Sequence, residues 1–217
     1  MRKKIEKLLL ISVVTIIILF SAGCSRSEPE IVFGFLKLVI YNEEDGLRER
    51  FSFFIMPDDE DGIENLDEIY LFHDIEQLRW HIKSDEWIHT VHDGKDWIGT
   101  RSIAASTGNL PRGLYRAVLY NKGGESSQRT FTFDGVVRFP FPELIIVNNT
   151  YSVRSAWPVN RLVYYDSNGD FIRSAELESL SGSLSQADLP SNAITAALWA
   201  EDEANFCSAF TNAVPVN

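Results

Sequence analysis

A twelve-residue pattern occurs twice in this chain, and it constrains the fold more than any other feature. Asn109-Leu-Pro-Arg-Gly-Leu-Tyr-Arg-Ala-Val-Leu-Tyr120 aligns without gaps on Asp188-Leu-Pro-Ser-Asn-Ala-Ile-Thr-Ala-Ala-Leu-Trp199, 79 residues further on. Each copy leaves a proline-bearing turn and enters an alternation of period two. Tyr115, Ala117 and Leu119 share one face in the first copy, and Ile194, Ala196 and Leu198 in the second. Such alternation puts one strand face on a core and the other in water. A polar turn follows each copy (121–125 and 200–203), then a closing strand (130–133 and 206–210). Upstream, Ile69-Tyr-Leu-Phe72 before His73-Asp74 is similar to Leu162-Val-Tyr-Tyr165 before Asp166. That offset is 93 residues, so the first copy holds 14 extra residues, which fall within 80–99. A chain organised this way folds as two related β units.

The remaining patterns agree. Residues 31–41 are almost continuously apolar and rich in branched and aromatic side chains, as is Phe51-Ser-Phe-Phe-Ile-Met56. Residues 77–83 alternate, with Leu78, Trp80 and Ile82 opposed to Arg79, His81 and Lys83. The best helical candidate is 175–184, and it is interrupted by Gly182 and serines. The Leu-Pro-x-Gly-x-Tyr pattern at 110–115 resembles the lead-in to the penultimate strand of fibronectin type III and immunoglobulin-like domains. That resemblance implies a tyrosine corner at Tyr115. The second copy has Asn192 and Ile194 at the matching positions, which keeps a turn at Asn192 through its tolerance of positive φ but loses the corner. The expected fold is all-β, with two tandem immunoglobulin-like antiparallel β-sandwiches. Their expected boundaries are 31–135, with an inserted hairpin near 80–99, and 136–217. Pro140 and Pro142 stiffen the junction.

The N-terminus carries a different signal. Arg2, Lys3, Lys4 and Lys7 precede an apolar run over 8–20, followed by small residues and Cys24. This is the order of a secretory leader. Ser21-Ala22-Gly23-Cys24 resembles the lipobox of bacterial lipoproteins, in a relaxed form similar to that of spirochaetes, with Ser21 where the family usually has Leu. The resemblance implies a signal peptide over 1–23, acylation of Cys24 with palmitate-type chains, and a tether over 24–30. Ser25, rather than Asp, after the cysteine implies outer-membrane sorting in that family. Two other readings stay open on the residues. One is ordinary cleavage after Gly23. The other is an uncleaved anchor, because the 18 residues from Leu8 to Ser25 carry no charge, near the lower limit of roughly 17–25 for a spanning helix. All three carry the folded part across the inner membrane.

Charge and cysteine usage narrow the function. The chain has 20 Lys+Arg against 31 Asp+Glu, a net −11. Loss of residues 1–23 removes four basic residues and Glu6, leaving −14. An acidic surface argues against a nucleic-acid partner, which needs cations for its phosphates. With Cys24 lipidated, Cys207 is the sole thiol left, and its apolar neighbours mark it as packed and inert.

Several groups invite a site. His89 and His92 lie three apart, which on a strand sends them to opposite faces and away from a shared metal. Asp166-Ser-Asn-Gly-Asp170 has the alternating oxygens of a calcium loop, but its Asn168-Gly169 reads better as a hairpin turn. Trp80, Trp87 and Trp97, with Tyr70 and Asp96, have the makings of a sugar-stacking platform. Trp80 follows core parity, so Trp87, Trp97 and Asp96 are the candidate ligand residues. No catalytic residue, metal or cofactor is expected, since no nucleophile elbow, zinc-helix motif or phosphate loop occurs. The expected role is a non-catalytic, lipid-anchored cell-envelope protein acting as an interaction or spacer module, with the membrane and an envelope protein or glycan as partners. The alternative is a carbohydrate-binding surface lipoprotein using the 80–99 aromatics, and an envelope hydrolase ranks below both.

Overall fold

The structure is a computed structural model that describes residues 27–44, 46–106 and 109–216. The leader and Cys24 lie outside the described residues. Eight strands build a first lobe: β1 (Glu30–Glu43), β2 (Gly46–Asp58), β3 (Leu66–His73), β4 (Leu78–Lys83), β5 (Ile88–His92), β6 (Lys95–Ala104), β7 (Gly113–Asn121) and β8 (Ser126–Phe133). Eight shorter ones follow: β9 (Glu143–Val147), β10 (Thr150–Arg154), β11 (Val159–Tyr165), β12 (Phe171–Glu176), β13 (Ser181–Ser183), β14 (Thr195–Asp202), β15 (Cys207–Phe210) and β16 (Val214–Pro215). The fold is all-β, and among the described residues there is no α-helix.

The sheets repeat one another. The first lobe sets β4-β3-β7-β8 against β1-β2-β6-β5. The second sets β9-β10-β13 against β12-β11-β14-β15, with β16 also on β14. The sequence β4-β3-β7-β8 therefore recurs as β12-β11-β14-β15, and these are the strands that carry the repeated pattern. The strand that the first lobe adds is β5. It forms a two-residue hairpin with β6 through Asp93 and Gly94, whose φ values are 50° and 69°. Both central residues of that turn need positive φ, which Asp-Gly supplies.

All strand pairs in the described residues are antiparallel except one. β1 runs parallel to β15, with Leu38 beside Cys207 and Tyr41 beside Phe210. That pairing fuses half of each lobe into a single nine-stranded sheet.

Burial follows the alternation. Leu36, Leu38 and Ile40 of β1 enter the first core with Phe51, Phe53 and Ile55 of β2 and Ile69, Ala117 and Leu119 of the facing sheet. Tyr115 is fully buried there. Its hydroxyl donates to Pro111 O at 2.7 Å, and Phe51 packs on its ring edge-on. This is the tyrosine corner expected from the Leu-Pro-x-Gly-x-Tyr pattern. In the second lobe Ile194 stays 43% exposed, and a different tyrosine takes over. Tyr164 of β11 is fully buried, and its hydroxyl donates to Ala187 O at 2.7 Å. The turns differ as well. Gly113 has φ 120°, but the second copy places its positive φ at Asp188 (54°) and not at Asn192.

The helical reading of 175–184 is incorrect. Ala175 is buried on β12 opposite Leu162, and 181–183 pairs with β10. Val153 N donates to Leu180 O at 2.7 Å, and Tyr151 lies so close over Gly182 that a Cβ would stand 3.0 Å from its hydroxyl. Pairing with β10 satisfies the backbone that a short, serine-rich helix would leave frayed.

The two cores are not separate. Trp157, Ala200, Cys207 and Ala209, all from the second half of the chain, lie in the first core. Trp157 is 3% exposed, its indole N–H donates to Pro140 O at 2.8 Å, and its ring meets Phe139 at 5.6 Å. The proline-bearing connection is thereby held down by a residue that follows it. Trp157→Ala is expected to cost roughly 3–5 kcal/mol, the usual range for a buried tryptophan. Urea unfolding followed by circular dichroism should show one transition at a lowered midpoint. Two separated transitions in the unmutated chain would show that the lobes unfold independently.

A second outcome concerns high pH. Burial raises the Tyr164 phenol to about 12 from an ordinary value of 10.0, and burial also raises Tyr115. An acid whose folded pKa is raised contributes stability that is complete below its unfolded pKa and is lost as pH climbs through the folded value. Stability should therefore fall from about pH 10 to 12. Tyrosinate absorbance should show these two phenols ionising only with unfolding, and ordinary titration of all seven tyrosines near pH 10 would contradict the burial.

Candidate functional site: an aromatic trough across the joined sheet

In a sandwich the inner face of each sheet is apolar and the outer face is usually polar. The nine-stranded sheet departs from this. Along β1 the outward residues are Phe33, Phe35, Lys37, Val39 and Tyr41. β2 adds Phe54, β6 adds Trp97, and the second lobe adds Trp199, Phe210, Val163, Tyr165 and Phe171. All of these but Phe33 line a trough of about 750 Å³ that spans both lobes, within the 300–1,000 Å³ range of small-molecule sites.

Ring contacts hold the lining in two groups. Trp97 meets Phe33 edge-on at 6.0 Å and Phe35 at 5.7 Å, and Phe35 stacks on Phe54 at 6.0 Å. Across the β1–β15 seam, Tyr41 meets Phe210 at 6.1 Å, and Phe210 meets Trp199 at 5.7 Å. Phe171 stands 62% exposed at the far rim.

Glu201 sits behind Lys37 and Trp199 of the lining. Its side chain is only 7% exposed. It takes an ion pair from Lys37 of β1, a hydrogen bond from Arg161 at 2.7 Å and one from the Trp199 indole at 3.1 Å. Arg161 also reaches Glu176 at 3.0 Å, and Lys37 lies 5.2 Å over the Trp199 ring. A buried carboxylate is stable only with such partners. Burial lowers the Lys37 pKa, with Glu203 opposing and Arg161 adding to the effect. Burial raises the Tyr41 phenol against the pull of Arg50 and Arg101, and raises Tyr165 against Arg101. Both phenols stay protonated at neutral pH and can donate.

The residues singled out in the sequence go to different places. Trp97 faces the trough. Asp96, its neighbour on β6, points to the opposite side and lies 2.7 Å from His89. Trp87 is half-buried and packs on the first core, and so does Trp80, whose indole donates to Ala104 O at 2.7 Å. Tyr70 lies on the outer face of the other sheet, stacked on His81 at 4.4 Å. These rings therefore form no common platform. His92 lines the trough rim, apart from the His89–Asp96 pair. Among the described residues no group of three or more His, Cys, Asp or Glu converges as a metal site. Asp166 Oδ1 accepts the backbone N–H groups of Asn168 and Asp170, which fixes the β11–β12 hairpin.

Sequence reasoning missed the trough's second half. Trp199, Phe210 and Tyr165 read as ordinary strand residues, because their outward parity matters only once β15 is known to lie beside β1. Cys207 is fully buried on the inward side of β15, and burial raises its thiol to about 11. Thiolate is then scarce at neutral pH, in keeping with an inert core cysteine.

Glu201→Ala should strand Lys37 without its carboxylate and leave Arg161 with Glu176 alone. The expected loss is roughly 3 kcal/mol, the low end for breaking a buried pair. Urea unfolding should register it, and Glu201→Gln should lose less, because its amide oxygen still accepts from Trp199 and Arg161. An unchanged midpoint in Glu201→Ala would remove this residue as the joint between the lobes.

No family model matches the chain, and no curated protein matches it. Solved structures do show likeness at low identity. Tp47, the 47-kilodalton lipoprotein of Treponema pallidum, aligns at 12% identity over 87% of this chain and 52% of its own, with a TM-score of 0.45. Dimeric latent PorU from Porphyromonas gingivalis aligns at 13% identity over 88% of this chain and 20% of its own, with a TM-score of 0.33. Murine CEACAM1b aligns at 9% identity over 84% of this chain and 99% of its own, with a TM-score of 0.27. This chain thus spans about half the length of Tp47.

Proposed function

We propose that this protein is a lipid-anchored, non-catalytic component of the bacterial cell envelope, and that its two joined lobes form a rigid body presenting the aromatic trough to a partner. The trough carries the reading. An uncovered sheet face with this many partly exposed rings is costly to leave in water and marks an interaction surface. The anchor rests on the leader and on Ser21-Ala22-Gly23-Cys24. The Ser27 carbonyl, within the tether, accepts from the Asn121 side chain at 3.0 Å, which pins the tether to the body. Outer-membrane placement follows from Ser25 by the family's sorting rule. The carbohydrate-binding alternative moves from the 80–99 segment as a whole to the trough, where Trp97 alone of its candidate residues takes part.

Cys24→Ser tests the anchor. The unaltered protein should enter the detergent phase on phase separation, and the variant should stay in the aqueous phase. Retention of the variant in detergent would argue for an uncleaved span. Fully aqueous behaviour of the unaltered protein would argue for ordinary leader cleavage.

A further inference from the structure

We propose that the trough binds an acidic glycan, with a uronate carboxylate on Arg101 and the sugar rings lying along the aromatic lining. This rests on the trough being the protein's binding surface and goes beyond it by naming the ligand chemistry. Among the described residues the Arg101 guanidinium has no carboxylate partner, and it is exposed in the trough. Tyr41 and Tyr165 line the same space. One comes from β1 of the first lobe and one from β11 of the second, and Arg101 acts electrostatically on both phenols. Lys37, the other cation in the lining, is already committed to Glu201. A planar, uncommitted guanidinium in a trough that two tyrosines also line suits a carboxylate, which Arg takes in bidentate fashion.

The same surface disfavours an extended peptide. Peptides bind sheets mainly by adding a strand at an edge, through free backbone groups. The trough floor is a sheet interior, where β1 is paired on both sides, to β2 and to β15. The middle of the floor therefore offers side chains and no backbone ladder, and the edge strands β5 and β12 enter the lining only through Thr90, His92 and Phe171. Sugar rings need flat apolar faces and hydroxyl partners, and Trp97, Tyr41, Tyr165 and Trp199 supply both.

The test uses the full chain in detergent micelles, with tetragalacturonate as the probe. Its methyl ester has the same rings without charge, and tetraglutamate has the carboxylates without rings. Binding is read by calorimetry and by tryptophan fluorescence. Tetragalacturonate should bind saturably. The ester and the peptide should each bind about tenfold more weakly or worse, as loss of a charged hydrogen bond or of ring contact implies. Arg101→Gln should lose about tenfold for tetragalacturonate and little for the ester. Arg101 is exposed, so the variant should keep the parent's urea midpoint, which confirms that its fold is intact. Trp97→Ala should weaken both sugars.

Equal binding of acid and ester, with loss in Trp97→Ala, would overturn the uronate assignment and leave the trough as a neutral glycan site. Equal binding of tetraglutamate would overturn the glycan assignment in favour of an acidic peptide. Binding of none of the three probes would overturn it outright, while the envelope reading would still be decided separately by the Cys24→Ser partitioning.

Discussion

The parallel pairing of β1 with β15 is the contact on which the rest of the structure depends. It joins strands some 170 residues apart, as the hydrogen bond from Ser208 Oγ to Leu38 O at 3.1 Å records. It closes two strand edges at once, and open edges are where sheets aggregate. It also demands small residues. Cys207, Ala209 and Ala200 are all fully buried beneath the seam, where a larger side chain would push β15 off β1. Phe206 takes a left-handed φ of 51° just before β15, and its carbonyl accepts from Leu38 N at 2.8 Å. The turn out of β14 is thus shaped to deliver β15 in register.

Two consequences follow for function. First, the trough exists only because the seam exists. Phe35 and Trp97 belong to one lobe and Trp199 and Phe210 to the other, and Glu201 from β14, already held by Arg161 and Trp199, gains its ion pair across the seam only when Lys37 of β1 reaches it. Second, the seam forms between residues far apart in sequence, so its loop-closure entropy is met late in folding. Each lobe has local hairpins that can form first. The binding surface is then the last part of the molecule to appear, and a partner bound there stabilises the assembled state by mass action.

The architecture was legible in the sequence where it depended on local pattern. The repeated Leu-Pro turn, the parity of Tyr115, Ala117 and Leu119, and the alternation of Leu78, Trp80 and Ile82 all concern neighbours along one strand, and the structure keeps them. The tyrosine corner was legible for the same reason, because its partner Pro111 lies four residues upstream. What failed depended on contacts that sequence distance hides. Residues 175–184 looked weakly helical because the β10 edge that captures 181–183 is invisible locally. Asn192 looked like the counterpart of Gly113, but the second lobe's buried phenol comes from β11, and its turn strains Asp188 instead. The three tryptophans of 80–97 looked like one platform because they are close in sequence. A change of sheet between β4 and β5 and the parity of β6 send Trp80 and Trp87 to the first core and Trp97 to the trough.

The charge distribution imposes a last constraint on how any anionic ligand reaches the trough. Acidic side chains crowd the loops at the tether end of the first lobe, at Asp58, Asp59, Glu60, Asp61, Asp85, Glu86 and Asp93. Their field repels an anion at long range. It is screened over about 8 Å at physiological salt, and Arg101 acts at contact distance. Recognition must therefore come from short-range, partly desolvated contacts rather than from steering, and electrostatics should slow association without setting the final affinity. Raising salt should then speed capture by weakening the repulsion and shorten the bound lifetime by weakening the Arg101 contact. A basic binding surface would show the opposite sign for capture. The aromatic walls are what make this arrangement workable, because their contact energy is insensitive to salt.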